Sequence, residues 1–333
     1  HEDCRRQRQM CIRDSLVTDR TGKILRDNIW GTLEQDTFRR DFTVNALYYC
    51  PVSKKIEDHN SGIKHIRDKK IVSIGDPIKR FSEDPVRSLR AIRFSNKLQF
   101  KIDSKIKDAI YKQGHLLSHI SNARLFDEFC KIFLNGIAEK NFKKLESYGL
   151  NQYLILTNPN DTIFSSELIK EALRNTDKRF GENKSITPGF LIAAMLWPEL
   201  IKRASKNDEI NLRKFFRSMD QVLKNQQNIT AIPRKFHTYI KDIWILQLKL
   251  HSRIGKQPYK TLKHPRFRAA YDFLLIREKA SKCKPDLGSW WTKFQKNDPS
   301  SQKSLISNLR ELTEEQSFKK FGFPEELLSL IHI

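Results

Sequence analysis

The chain has 333 residues, room for a sizeable core and more than one domain, and its 38% hydrophobic content argues against wholesale disorder. Lys and Arg total 62 against 39 Asp and Glu, a net charge of +23. A compact chain this basic repels itself unless it meets a polyanion, so nucleic acid leads among partner classes, ahead of a basic protein with no such partner.

The first fifteen residues are polar and patternless, and read as a non-native leader; the last seven give the same impression of a non-native tail. Structure begins near Val17. Thr32 through Gln35 fits a capping box, with Thr32 as N-cap and Gln35 reaching back, and predicts a helix to about Thr43. Residues 47–52 and 55–58 read as two strands of a small hairpin, residues 60–62 as a turn, and residues 70–74 as another strand. From Pro77 onward no strand is expected. Apolar residues recur at helical spacing instead, as in Val86, Leu89 and Ile92, or Leu125, Phe129 and Ile132. An apolar run ends at Trp197 and is expected to stop at Pro198, short of membrane-spanning length. The five cysteines, Cys4, Cys11, Cys50, Cys130 and Cys283, form no CxxC pair. Their odd number and scatter indicate neither a disulfide framework nor a zinc knuckle, and fit a reducing, cytoplasmic setting.

Two constellations carry candidate chemistry. In RRDFTVNAL, Arg39 and Arg40 abut Asp41, and Asn45 follows four residues later. A carboxylate beside guanidinium forks suits a polyphosphate–metal site. A helical segment would put Asp41 and Asn45 on one face. The same pattern is compatible with a mixed-charge surface helix. In EDPVRSLRAIRF, Asp84 suits an N-cap and Pro85 the first helical position. Arg87, Arg90 and Arg93 form a slowly rotating stripe opposite Val86, Leu89 and Ile92. Such a stripe can line a triphosphate cleft, with Asp84 and Arg87 presenting an acceptor and a donor fork to a base edge; a solvated helix face remains open. Downstream, residues 249–282 are strongly basic, including Lys256, Lys260, Lys263, Arg266 and Arg268, with Arg253 and Arg277 in the same run. Tyr259, Phe267, Tyr271 and Phe273 are interleaved, as base-stacking platforms or as core.

Together, RRDFTVNAL, EDPVRSLRAIRF and the Glu57-Asp58, Gly62 and Ile74-Gly75-Asp76-Pro77 elements between them resemble the class II nucleotidyltransferases, the tRNA CCA-adding enzymes and bacterial poly(A) polymerases. Arg26 to Glu34, Tyr48-Tyr49 and the block from His264 to Gln295 resemble the poly(A) polymerase branch. The resemblance implies a mainly α fold: the remnant of an α+β nucleotidyltransferase head (16–77), then an all-helical neck (78–135), a body (136–245) and a C-terminal RNA-binding region (246–326). It implies Asp41 as the third active-site carboxylate and a metal ligand, and Arg40, Asn45, Asp84, Arg87, Arg90 and Arg93 as nucleotide contacts. The implied reaction is template-independent addition of AMP from ATP to RNA 3′ ends by a monomer working with RNA-decay machinery. A CCA-adding enzyme and a non-catalytic RNA-binding protein are the alternatives. The family's Asp-x-Asp strand, which holds two Mg²⁺ ions about 3.5–4 Å apart, has no counterpart upstream of Thr32, so the chain as it stands is expected to be inactive.

Overall fold

A computed structural model describes residues 17–18, 24–26, 32–156, 163–206, 209–210, 212–281 and 286–310. The chain divides into two compact units, His1–Leu117 and Ser118–Ile333. The expected leader (1–15), the expected tail (327–333) and residues 27–31 lie outside the described residues.

In the first unit, β1 (Val17–Thr18) pairs antiparallel with β2 (Ile24–Arg26). Helix α1 (Leu33–Arg39) opens on the expected capping box: the Gln35 N–H donates to Thr32 Oγ1 at 3.2 Å, and the Thr32 N–H donates to Gln35 Oε1 at 2.9 Å. The helix stops at Arg39, four residues before the sequence expectation. Its last carbonyls are taken by a side chain from far along the chain: Arg80 Nη2 donates to the carbonyls of Arg39 (2.8 Å) and Arg40 (2.9 Å). Those groups would otherwise be orphaned at a helix end. The following backbone extends and pairs with residues 72–74. The Thr43 N–H donates to the Val72 carbonyl (3.0 Å) and the Ile74 N–H to the Asp41 carbonyl (3.2 Å), around a Phe42–Ser73 bridge. A 3₁₀ turn, Thr43–Asn45, then leads into the hairpin of β3 (Leu47–Cys50) and β4 (Lys55–Asp58).

Helix α2 (Gly62–Arg67) begins where a turn was expected; the Asp58 carboxylate accepts the N–H groups of Gly62 (2.8 Å) and Ile63 (2.9 Å) at its first turn. The strand expected over 70–74 shortens to β5 (Lys70–Ile71), because residues 72–74 turn to the Asp41 segment. Helices α3 (Pro77–Glu83) and α4 (Val86–Leu98) follow, then β6 (Lys101–Ile102) and α5 (Ser104–Gln113). β6 runs parallel to β5 and corrects the expectation of no strand after Pro77. Two residues are too few to show an alternating pattern.

The second unit is a helical assembly: α6 (Asn122–Phe133), α7 (Ala138–Ser147), α8 (Ile163–Gly181), α9 (Pro188–Ala204), α10 (Leu212–Gln227), α11 (Arg234–Lys249), α12 (Gln257–Leu262), α13 (Phe267–Ser281), α14 (Leu287–Lys296) and α15 (Pro299–Arg310). A two-residue hairpin, Ser205–Lys206 with Glu209–Ile210, is a further strand pair past Pro77. Helix α9 runs through Pro198 rather than stopping there. Its apolar face is locked in the core by Trp197, and the Trp244 indole N–H donates to the Ala193 carbonyl at 2.9 Å, beside the carbonyl that Pro198 leaves without a helical donor. The core gathers Trp197, Trp244, Trp291, Phe215, Phe273 and Phe294, all buried. No helix among the described residues is long and apolar enough to cross a membrane.

Gly62 decides how closely α2 approaches the 3₁₀ turn beneath Asp41. A Cβ there would lie 2.5 Å from the Thr43 carbonyl oxygen, a backbone atom that cannot step aside. Gly62→Ala is expected to lower the unfolding free energy by about 1–3 kcal/mol, read by urea denaturation; an unchanged midpoint would contradict this packing.

Candidate nucleotide and RNA sites

Asp41 sits between α1 and the 3₁₀ turn with only 7% of its surface exposed. Burying a carboxylate is costly unless donors replace water. Here three do so. Oδ1 accepts the Phe42 N–H (2.9 Å) and Asn45 Nδ2 (3.0 Å); Oδ2 accepts Arg90 Nε (2.6 Å). The sequence expectation that Asp41 and Asn45 meet holds, although the path between them is an extended residue and a 3₁₀ turn rather than an α-helix. The Arg90 ion pair ties the first motif to the second across 49 positions.

The stripe on α4 buries Val86, Leu89 and Ile92 and presents its arginines elsewhere. Arg90 and Arg93 flank the Phe94 ring, at 5.4 and 4.7 Å from its centroid, and Phe94 meets Phe42 edge-on at 6.1 Å. The aromatic ring thus spaces two guanidiniums while anchoring them to the core. Arg87 is largely enclosed and donates from Nη1 to the Arg80 carbonyl at 3.0 Å. Burial, then Arg80, push its pKa down, while Asp84, Asp41 and Glu83 pull it back. Asp84 is displaced one position from the expected N-cap, which Pro85 occupies. The reason is that the Asp84 N–H closes α3 on the Arg80 carbonyl (3.1 Å); its Oδ1 still accepts the Val86 N–H at 3.3 Å. Asp84 and Arg87 stand within one turn, as anticipated.

Arg40 is drawn to Asp36, one turn back, with Nη2 2.9 Å from Oδ2. Asp36 also accepts from Arg39 and from the Tyr48 hydroxyl. Burial would raise the Asp36 carboxyl, but the Tyr48, Arg39 and Arg40 hydrogen bonds outweigh it and hold it below the usual range. Burial, then the Asp36 carboxylate, push the Tyr48 hydroxyl from 10.0 up to about 12. Sequence reasoning missed Asp36, Arg80 and Phe94. The first is legible in retrospect as an acid three and four positions ahead of two arginines; Phe94 stands four after Arg90. Nothing local betrays Arg80, whose role is to cap a distant helix.

Asp41, expected as a metal ligand, is a carboxylate that three donors already share, and it would need further oxygen ligands to hold an ion. Both carboxylate oxygens are occupied, one by a guanidinium, and the described residues contain no group of three or more His, Cys, Asp or Glu positioned to hold an ion. Asp41 as placed here organises Arg90.

In the second unit, Lys256, Lys260, Lys263, Arg266 and Arg268 are all exposed along α12, the following loop and the start of α13. Two other cations of that run are not. Arg253 is buried over Trp290 (5.7 Å), and Arg277 is packed over Trp197 (4.6 Å), donating to Gln247 Oε1 at 3.0 Å. Burial depresses both, Arg277 to about 10. Phe267, Tyr271 and Phe273 are core residues, which leaves them no face for a base. Lys282 lies outside the described residues.

Solved structures share this fold. A Thermotoga maritima CCA-adding enzyme complexed with a tRNA superposes with a TM-score of 0.55 at 18% identity, covering 99% of this chain and 83% of that one. Family matches divide the sequence further: residues 2–72 match the poly(A) polymerase head domain, residues 99–159 the probable RNA- and SrmB-binding site of polymerase A, and residues 208–321 the polymerase A arginine-rich C-terminus. Poly(A) polymerase I of Escherichia coli O6:H1 is 39% identical over 313 residues, 89% of this chain and 67% of that protein. Its Haemophilus influenzae counterpart is 36% identical over 323 residues, 94% and 70% respectively. The chain belongs to the poly(A) polymerase I family of nucleotidyltransferases.

Two outcomes test the site. A double-mutant cycle on Asp41→Ala and Arg90→Ala should return a coupling of about 0.5–3 kcal/mol in unfolding free energy, and additivity would break the link between the motifs. Because the folded-state Tyr48 pKa is raised, its contribution to stability is complete below about pH 10 and is lost as pH rises through about 12. Tyr48→Phe should therefore flatten the alkaline limb of stability against pH in thermal melts, and an identical limb in both proteins would refute the assignment.

Proposed function

We propose that the first compact unit binds ATP and the second binds single-stranded RNA, for template-independent addition of AMP to RNA 3′ ends. The observation that carries this reading is the Asp41–Arg90 ion pair. It joins the two sequence motifs and leaves Arg87 and Arg93 disposed on the same helix as Arg90. In the reaction the RNA 3′ oxygen attacks the α-phosphorus of ATP. The oxygen–phosphorus bond forms as the bond from the α-phosphorus to the bridging oxygen breaks, and pyrophosphate leaves. What this chain's residues supply is placement. Arg90 and Arg93, held on Phe94, offer guanidinium forks to phosphate oxygens. Asp84 and Arg87 offer an acceptor and a donor to the adenine edge, the protein's substitute for a template. Asn45 and Arg40 border the same anchor. Asp41 is a positioning residue acting through Arg90.

The adenylate preference is supported by the relatives named poly(A) polymerase I, which match over 67–70% of their length. CCA-adding enzymes of Anoxybacillus flavithermus and Lactococcus lactis match over 34% and 56% of theirs, the latter at 27% identity. The RNA-facing role of Lys256, Lys260, Lys263, Arg266 and Arg268 is supported by their exposure and by the charge of the chain.

Because Asp41 offers a single, occupied carboxylate, the first test is of binding. Titration calorimetry should show ATP bound more tightly than CTP, with Arg87→Ala weakening ATP about tenfold, the size of one charge-assisted contact, and narrowing the gap. Equal affinity for ATP and CTP would favour the CCA-adding reading. RNA affinity should fall with salt at a slope near −0.7 per phosphate contact, so a Lys256→Ala, Lys260→Ala, Lys263→Ala triple variant should lose about 2 from that slope. Salt-independent binding would contradict the RNA-facing assignment.

A further inference from the structure

The second unit contains a polar pocket that the nucleotide reading does not use. It lies between the end of α8, the start of α9, α11 and the loop into α13, with a volume of about 200 Å³. Its walls include Asn175, Arg179, Phe190, Tyr239, Arg266 and Arg268. Size narrows the ligand. Drug-sized sites run to about 300–1,000 Å³, so a nucleoside triphosphate does not fit. A cavity of about 150 Å³ admits one benzene ring, so a single base fits well.

The chemistry narrows it further. Arg179 is held rigid: Nε and Nη2 each donate to the Ser185 carbonyl at 3.1 Å, and Nη1 lies 3.4 Å from Asp272 Oδ2. Arg268 shares that carboxylate, with Nη2 3.1 Å from Oδ1. Arg266 stacks on the Tyr239 ring at 4.9 Å, and among the described residues no carboxylate pairs with it. Three guanidiniums thus face one carboxylate, a local excess of positive charge that suits phosphate oxygens. Asn175 contributes an acceptor: its Oδ1 is buried without a hydrogen-bond partner, a costly state that a donor would relieve. Adenine, cytosine and guanine carry an exocyclic amine that can donate to it; uracil does not. Arg266 and Arg268 belong both to this pocket and to the exposed basic run.

We propose that the pocket takes one unpaired, amine-bearing base of a single-stranded RNA, seated beside Tyr239 and Phe190 with neighbouring phosphates on Arg266 and Arg268. This rests on the RNA-binding reading above and adds to it a discrete base subsite. The rings that the sequence offered as stacking platforms or as core were Tyr259, Phe267, Tyr271 and Phe273; rings lining the pocket include Tyr239 and Phe190.

The test uses the full chain and fluorescence anisotropy with oligoadenylate, oligouridylate and an abasic ribose-phosphate strand of equal length. The wild-type protein should bind oligoadenylate about tenfold tighter than the abasic strand, the size of one base–aromatic contact, and tighter than oligouridylate. Ala269→Phe, which fills the pocket without changing charge, should abolish the preference over the abasic strand and leave the salt slope intact. Asn175→Leu should erase only the preference over oligouridylate. A wild-type protein that binds all three strands equally, or an Ala269→Phe protein that keeps the preference, overturns the pocket while RNA binding stands. Failure to bind any strand overturns both. Should the variants not fold, ultraviolet crosslinking of wild-type protein to oligoadenylate decides. Adducts on the Tyr239 or Phe190 peptide support the pocket; their absence overturns it.

Discussion

A carboxylate removed from water and left in one piece with a guanidinium governs the first unit. Asp41 is 7% exposed, and an ion so placed is tolerable only if donors replace its hydration. Arg90, Asn45 and the Phe42 N–H supply them. Satisfying Asp41 therefore depends on the local path of the backbone as well as on α4, which carries Arg90. α1 must end early, the chain must extend to pair with residues 72–74, and the 3₁₀ turn must bring Asn45 back. Arg80 makes the early ending affordable by taking the freed carbonyls, and its own carbonyl then receives Arg87. Arg87 and Arg90 are in this sense held by the same hydrogen bonds that hold the fold.

The second unit shows why a count of cations overstates a binding surface. The run from α11 to α13 has cations of two kinds. Arg253 and Arg277 are packed on indole rings, with their charge disfavoured by burial, and serve the core. Lys256, Lys260, Lys263, Arg266 and Arg268 are exposed, Arg268 while pairing with Asp272. The aromatic residues divide in the same way: those at helical spacing with the core are consumed by it, while Tyr239 and Phe190, from other helices, border an opening.

Much of this architecture could be read from the chain where the physics is local. The capping box at Thr32, the hairpin from Leu47 to Asp58 and the buried face of α4 are short-range patterns, and they stand as expected save that the first hairpin strand ends at Cys50 rather than Val52. What escaped was set by distant partners. The end of α1 depends on Arg80, the one-residue shift at Asp84 on the closing turn of α3, and the continuation through Pro198 on a core that surrounds it. Asp41 and Asn45 were paired correctly for a partly wrong reason, since their contact needs a turn and not a helix. The metal role expected of Asp41 rests on motif resemblance; what the structure adds is that Phe42, Asn45 and Arg90 already donate to this carboxylate.

The most direct test is a crystal structure of the chain with a non-hydrolysable ATP analogue. The account predicts phosphate oxygens within hydrogen-bond distance of Arg90 and Arg93, with the adenine edge at Asp84 and Arg87 and the Asp41–Arg90 pair unbroken. Analogue density remote from α4, or Arg90 swung away from Asp41 on binding, would contradict it.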